Sequence, residues 1–503
     1  MKYLAFTALA FWSTLAAAIG EPAKHLSVAE LRAVRSPDVV LDSVGVPPEL
    51  PTNASAPQYI QVKGTIGGTI HFELLLPETW NERFVMGGGG GFVGTVQNGE
   101  RFSVTQGYAT VGTDTGHKQT LLLTASWAFN NMEAQLNFGY LAVHRTAAVA
   151  KALIRAYYGK DPLHSYFIGC SRGGGQAMME AQRYPNDFEG IVAGAPAFDW
   201  TGFAATSVTI AKTLYPNPNH LDTNILTKDA LEKLRQSILD QCDALDGLKD
   251  GIVGDPGTAN FDLTKVPGLS EEQRNAIRVI YDGARNNQGL IYPGYTPGSE
   301  CDPNSWIAWI TGPVTPLLER EHAPSLMFGF GTQIFKYLVF NQPDWDYSTY
   351  NFSHFAQDTR MAASYLDATN ANLDSFKSRK GKIILWHGWA DPALPAQATV
   401  DYFRRVQARD PNAAGYCRLF MIPGCLHCGG GPGASDVDWL ELIRNWVEDG
   451  HAPDRLIASK KEKGKVVMTR PLYPYPQTVI YKGSGDPNSA DSFVPKSIAG
   501  AIH

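Results

Sequence analysis

From about residue 56 to 198 the chain alternates short apolar runs with longer segments of helical periodicity. Arg83-Phe84-Val85-Met86 is a short apolar strand that ends in five glycines, Gly87 to Gly91. The run from Gly107 to Asp114 predicts a strand entering a loop, and the alanine-rich stretch from Phe138 to Ile154 predicts a long helix. Tyr166-Phe167-Ile168 predicts a buried strand, the segment from Gly175 to Ala181 a helix, and Gly190 to Pro196 a second buried strand closed by a break. Such alternation predicts a parallel sheet covered by helices. The pattern changes from about 199 to 376, where aromatic residues, Pro and Asn become more frequent. Helices are expected there at Leu226–Leu239 and Glu271–Asp282, and strand-like runs are few. Strand periodicity resumes at Lys382–Trp386 and Tyr416–Ile422, followed by an amphipathic helix from Trp439 to Val447 with Gly450 as its stop. The expected organisation is a sheet domain in two parts, 19–198 and 377–503, with 199–376 inserted as a lid.

Composition narrows the function classes. The chain has 503 residues, 44% of them hydrophobic, and a net charge of −6 from 43 basic and 49 acidic side chains. That balance excludes the basic surface that nucleic acid or an anionic membrane would require. The first 18 residues carry one lysine, an apolar core and Ala16-Ala17-Ala18, the pattern of a secretory signal peptide. An extracellular location is therefore expected, and the six cysteines become disulfide candidates. Asn53-Ala54-Ser55 and Asn351-Phe352-Ser353 are glycosylation sequons, usable on a eukaryotic secretory route.

The chemistry concentrates in Gly169-Cys170-Ser171-Arg172-Gly173-Gly174, a serine among glycines at a strand-to-helix turn. This is the arrangement of a nucleophile elbow, whose strained backbone needs small neighbours. A serine hydroxyl attacks only with a base to take its proton and a third group to orient that base. His427 is the candidate base and Asp391 the candidate orienter; His387 and His117 compete for the role of base. The chain order Ser171, Asp391, His427 is that of α/β-hydrolases. Arg172 N–H, directly after the nucleophile, and a glycine of the Gly87–Gly91 loop, Gly89 or Gly90, are the candidate oxyanion donors. Cys170 precedes the serine and Cys428 follows the histidine. Cys170 could itself be a nucleophile, but two adjacent thiols outside the cell would oxidise, and a Cys170–Cys428 disulfide accounts for both. Of the remaining four, Cys417 with Cys425 and Cys242 with Cys301 are plausible pairs, though sequence does not choose among the pairings.

Asp243-Ala244-Leu245-Asp246-Gly247-Leu248-Lys249-Asp250-Gly251-Ile252 places three carboxylates close together among turn-forming glycines. Asp243, Asp246 and Asp250 suit an oxygen-ligated Ca²⁺ that would stiffen the lid, in a register different from an EF-hand.

Taken jointly, these motifs resemble the tannase and feruloyl esterase family of secreted esterases. The resemblance rests on the elbow, on His387-Gly388-Trp389-Ala390-Asp391-Pro392 and on Pro423-Gly424-Cys425-Leu426-His427-Cys428-Gly429-Gly430. It extends to Thr113-Asp114-Thr115-Gly116-His117, Phe138-Gly139-Tyr140 and the stretch from Thr469 to Pro476. It implies an α/β-hydrolase fold with a large inserted lid, a Ser171, Asp391, His427 triad and a Cys170–Cys428 bridge. It also implies a lid calcium held by Asp243, Asp246 and Asp250, with Leu248 and Ile252 as carbonyl ligands. The family's terminal disulfides have no counterpart before Gly45 or in Ser492-Phe493-Val494-Pro495.

The implied activity is hydrolysis of phenolic-acid esters of the feruloyl type, as in plant cell wall degradation. The expected partner is a small aromatic ester or a feruloylated saccharide, and the expected assembly is a monomer or homodimer. Trp345, Tyr347 and Phe352 are candidates to line the acid pocket. The alternatives are a tannase acting on galloyl esters and a non-catalytic binding protein on the same fold.

Overall fold

The computed structural model describes residues 25–47, 58–119, 121–302, 304–314 and 323–497. The leader 1–18 and the Asn53 sequon lie outside these residues. The strands are β1 (Val39–Gly45), β2 (Tyr59–Ile66), β3 (Ile70–Pro77), β4 (Arg83–Gly87), β5 (Ala109–Thr113), β6 (His164–Cys170), β7 (Gly190–Gly194), β8 (Ala284–Asn286) and β9 (Gly289–Tyr292). They continue with β10 (Lys382–Gly388), β11 (Cys417–Ile422), β12 (Leu456–Glu462), β13 (Lys465–Leu472), β14 (Gln477–Tyr481) and β15 (Phe493–Ser497). Nine of them form one sheet in the order β1-β2-β3-β5-β4-β6-β7-β10-β11. The edge β1-β2-β3-β5 is antiparallel, and every pairing from β5 to β11 is parallel. This is an α/β-hydrolase fold.

Both faces of the parallel half are buried, so its strands are nearly continuous apolar runs. Successive side chains point to opposite faces. Phe167, Ile191 and Leu385 accordingly join the large core shared with the insertion. Tyr166, Ile168, Val192 and Trp386 join a second core under the helix Trp439–Glu448, with Ile443 and Trp446. The antiparallel half shows one-sided alternation: Ile60, Val62, Gly64 and Ile66 of β2 are buried and their neighbours are not.

Residues 195–381 run between β7 and β10, two strands that are neighbours in the sheet. The insertion is mainly helical, with Trp200–Leu214, Lys228–Cys242 and Glu271–Asp282 as its longer helices and β8–β9 as its hairpin. The last of these helices ends at the residues expected. Ser270 and Gln273 form a capping box at its start, and Gly283 follows its end with φ 75°.

Trp345, Tyr347 and Phe352 pack inside the insertion and do not line the large cavity described below. Trp345 stacks on Phe335 with centroids 5.0 Å apart, Phe352 packs edge-on to Tyr350 at 4.9 Å, and the Tyr347 hydroxyl donates to Tyr215 O. The suggested second and third cysteine pairs are not formed: Cys242, Cys301, Cys417 and Cys425 are free. Cys417 begins β11 and Cys425 lies beyond its far end, so the strand holds them about 16 Å or more apart, too far to bridge.

Candidate active site

Ser171 sits between β6 and the helix Arg172–Arg183 with φ 61° and ψ −123°. A non-glycine residue rarely adopts this conformation, and the surroundings must impose it. They do so by close approach. A Cβ at Gly169 would lie 2.3 Å from Gly173 O, and one at Gly88 would lie 2.6 Å from Gly173 Cα. Glycine at 88, 169 and 173 thus lets the elbow and the glycine-rich loop after β4 touch backbone to backbone.

Ser171 Oγ is 2.8 Å from His427 Nε2, and His427 Nδ1 is 2.8 Å from Asp391 Oδ2. A carboxylate only accepts, so Nδ1 carries the proton and Nε2 is left to accept from the serine. Asp391 is fully buried yet remains an anion. Burial alone would raise its pKa, but the charges and N–H groups of His427 and His387 outweigh it and hold the carboxyl far below the usual range. Its Oδ1 also accepts from Ala393 N at 2.7 Å and Leu394 N at 3.1 Å.

The competing histidines have other positions. His387 contacts Asp391 and not Ser171. Its Nε2 lies 3.1 Å from Asp391 Oδ2 and 3.1 Å from Leu394 O, both acceptors, and its Nδ1 lies 2.8 Å from Thr399 Oγ1. His117 is buried, stacks on Trp127 at 3.7 Å and meets Phe92 O at 2.9 Å through Nε2. Burial pushes its pKa down to about 4.

Cys170 and Cys428 are joined by a disulfide that closes a separation of 258 residues. Gly89 N donates to Gln176 Oε1 at 3.2 Å and Gly90 N to Gln97 Oε1 at 2.8 Å. The Arg172 side chain is buried behind the site. Its guanidinium lies 4.2 Å over the Phe138 ring and donates to Phe138 O and to Gly139 O.

A cavity of about 600 Å³ opens over Ser171 and His427. One end is walled by aromatic side chains that the sequence did not single out: Trp200, Phe203, Trp309 and Phe330, all from the insertion, with Leu122 beside them. Trp309 meets the His427 ring edge-on at 5.2 Å. The cavity continues past Cys170 to Ile168, Trp386, Trp439 and Glu100. Among the described residues that line it there is no Lys or Arg.

No residue of the acidic loop of the insertion lines this cavity. Asp243 accepts from Gly251 N at 3.1 Å with each carboxylate oxygen, and Asp246 from Leu248 N at 3.1 Å. Asp250 accepts from Ile252 N at 3.2 Å and from Arg470 Nη2 at 2.8 Å. Burial, with the charges of Asp250 and Asp243, pushes Asp246 up to about 6. Three carboxylates with backbone carbonyls between them are an all-oxygen donor set of the kind a hard cation takes. The metal-capable side chains that converge within 4.8 Å of one another among the described residues are different ones: His144, Glu180 and Asp187.

The family model described as tannase and feruloyl esterase matches residues 56–495. Mono(2-hydroxyethyl) terephthalate hydrolase of Piscinibacter sakaiensis is 33% identical over 89% of this chain and 86% of its own. Feruloyl esterase B of Aspergillus niger is 30% identical over 83% of this chain and 82% of its own. Among solved structures, feruloyl esterase B from Aspergillus oryzae superposes with a TM-score of 0.80 at 25% identity, covering 92% of this chain and 98% of that one. Tannin acyl hydrolase from Aspergillus niger shares the fold, with a TM-score of 0.73 at 21% identity over 95% and 96% of the two chains.

Proposed function

The chain belongs to the tannase and feruloyl esterase family and is a carboxylic ester hydrolase; from that premise we propose that it is a secreted serine esterase of phenolic-acid esters. The observation that carries the reading is the unbroken relay Ser171 Oγ, His427, Asp391 at 2.8 Å per step on the floor of an aromatic cavity.

In this reading Ser171 Oγ attacks the ester carbonyl while His427 Nε2 takes its proton. Asp391 stabilises the imidazolium that forms. Arg172 N–H and one glycine N–H, from Gly89 or Gly90, meet the oxyanion; the glycine would exchange its glutamine oxygen for the substrate's. His427 returns the proton to the leaving alcohol. A water molecule, deprotonated by the same imidazole, then releases the acid from Ser171.

The aromatic end supports a neutral phenolic acid. Burying an aromatic ring between Trp309 and Phe330 removes apolar surface from water at about 25 cal/mol per Å². The described lining offers a ring the faces of Trp309 and Phe330 and offers a second carboxylate, as in a terephthalate monoester, no Lys or Arg. A galloyl group would need partners for three hydroxyls in this apolar wall, so feruloyl-type acids fit better than gallate.

Ca²⁺ is assigned to the lid loop, with Asp243, Asp246 and Asp250 as carboxylate ligands and Leu248 and Ile252 as carbonyl ligands. Its contribution would be to hold that loop closed, with no part in the bond-making steps.

The test is turnover of methyl ferulate, methyl gallate and mono(2-hydroxyethyl) terephthalate by the purified protein and by Ser171→Ala. The expected order is ferulate first, with all turnover lost in the variant. Retained turnover in Ser171→Ala refutes the serine mechanism, and preference for gallate or terephthalate refutes the acid assignment.

A further inference from the structure

The far end of the active-site cavity is built differently from the insertion end. Ile168 and Trp386 belong to the core on the opposite face of the sheet from Phe203 and Phe330. Trp386 stacks flat on Trp439, with centroids 5.4 Å apart and 4° between the planes. Trp439 is only partly buried and lines the cavity, so its indole offers an aromatic surface there. Glu100, in the segment that follows the glycine-rich loop, lines the same cavity and feels the charge of Asp438, the residue before Trp439. Among the described residues, no hydrogen bond or ion pair reaches the Glu100 carboxyl. A half-buried acid in an apolar lining without a partner is costly to keep. Burial, then the nearby charge of Asp438, pushes its pKa up to about 7, so it can accept or donate a hydrogen bond near neutral pH.

We propose that Glu100 and Trp439 form a leaving-alcohol subsite that binds a hydroxyl-rich alcohol, a sugar or polyol, during ester cleavage. The inference rests on the ester-hydrolase reading and deepens it. The insertion end, all aromatic and aliphatic, takes the apolar acid. The alcohol then extends past the Cys170–Cys428 bridge to the only described acidic side chain in the cavity lining. An aromatic surface and a carboxyl in one cavity suit a sugar: C–H groups pack on the indole, and hydroxyls donate to the carboxylate.

A leaving-group subsite has a kinetic signature that an acid-binding subsite lacks. Once Ser171 is acylated the alcohol has departed, and esters of the same acid share one deacylation step. The experiment uses two esters of the acid whose methyl ester is turned over fastest: that methyl ester and the corresponding arabinose ester. The full-length protein is compared with Glu100→Ala, Glu100→Gln and Trp439→Leu. Wild type should prefer the arabinose ester in kcat/KM. Glu100→Ala and Trp439→Leu should lower kcat/KM for it about tenfold and leave the methyl ester within twofold. Glu100→Gln, which still offers an acceptor, should lie between. Equal losses on both esters, no loss on either, or a wild type without preference for the arabinose ester each overturn the proposal. Failure of the serine reading is seen separately, as turnover surviving in Ser171→Ala.

Discussion

The perturbation that tests most of this structure at once is removal of the bridge by Cys170→Ala with Cys428→Ala. The bridge spans 258 residues, and the chain-entropy model for a loop of that size gives about 5.5 kcal/mol of stabilisation through the unfolded state. Removing a native bridge typically costs about 2–5 kcal/mol, so the expected loss is about 3–5 kcal/mol, read as a fall in the urea midpoint. The kinetic effect has a separate origin. Cys170 precedes Ser171 and Cys428 follows His427, so the bridge holds the two ends of the 2.8 Å Ser171–His427 contact. A misplacement of about 1 Å at a reacting group costs about 10²-fold, and the variant should lose that much kcat at a temperature where it remains folded. Circular dichroism at the assay temperature separates the two effects, and reductant treatment of the wild-type protein should reproduce the kinetic loss. A variant with kcat within twofold of wild type and a stability loss below about 1 kcal/mol would refute both halves of the reasoning.

Three further outcomes are expected. His387→Asn removes a donor to the buried Asp391 anion; a hydrogen bond to a charged group is worth about 1.5–3 kcal/mol, so kcat should fall about 10- to 100-fold with KM nearly unchanged. Removing calcium with a chelator should lower the thermal midpoint and leave kcat at low temperature intact, with full recovery on adding Ca²⁺ but not Mg²⁺; a midpoint indifferent to both would remove calcium from the picture. Glu180 is held protonated well above its ordinary value, first by burial and then by Asp187. The folded chain therefore keeps a proton that the unfolded chain loses above about pH 4.3, and stability falls with rising pH by about 1.4 kcal/mol per unit until the folded pKa is reached. Glu180→Gln abolishes that slope, so its advantage in urea midpoint should widen from pH 5 to pH 7; parallel curves would refute the assignment.

How much was legible depended on how local the determinants are. The helix Glu271–Asp282 could be read to the residue because its cap and stop lie within its own sequence. Ser171, Asp391 and His427 could be read because each sits in a short motif at a strand end. The cavity wall could not. Trp309 and Phe330 line it while Trp345 and Phe352 do not, and nothing in the local sequence of these four separates them. Their directions are set by packing across the insertion, where Phe335 draws Trp345 and Phe352 inward. The edge strands β1–β3 and the C-terminal hairpins β12–β15 were also missed as elements. They are paired antiparallel ribbons whose partner strand, rather than their own apolar content, makes them strands. The glutamines that hold Gly89 and Gly90 were equally silent, since Gln176 is 87 positions from the glycine it bonds.

Topology also explains why the bridge is where it is. β6 and β11 are separated by β7 and β10, three strand spacings or about 14 Å at the level of the sheet. His427, leaving β11, must therefore return across two strands to reach Ser171, which leaves β6. The segment that does this turns back through positive-φ positions at Gly424, Cys428, Gly430 and Gly431. Such a loop has many alternative conformations, and a 2.8 Å contact at its tip cannot be held by glycine-rich backbone alone. Asp391 fixes the histidine from the β10 side, and the bond from Cys428 to Cys170 fixes it from the β6 side, so the imidazole is restrained from both directions. Where the sheet order leaves Ser171 and His427 far apart, a covalent tie next to both is the direct way to keep them within reach, which is why the kinetic cost of the double cysteine variant should exceed that expected from lost stability.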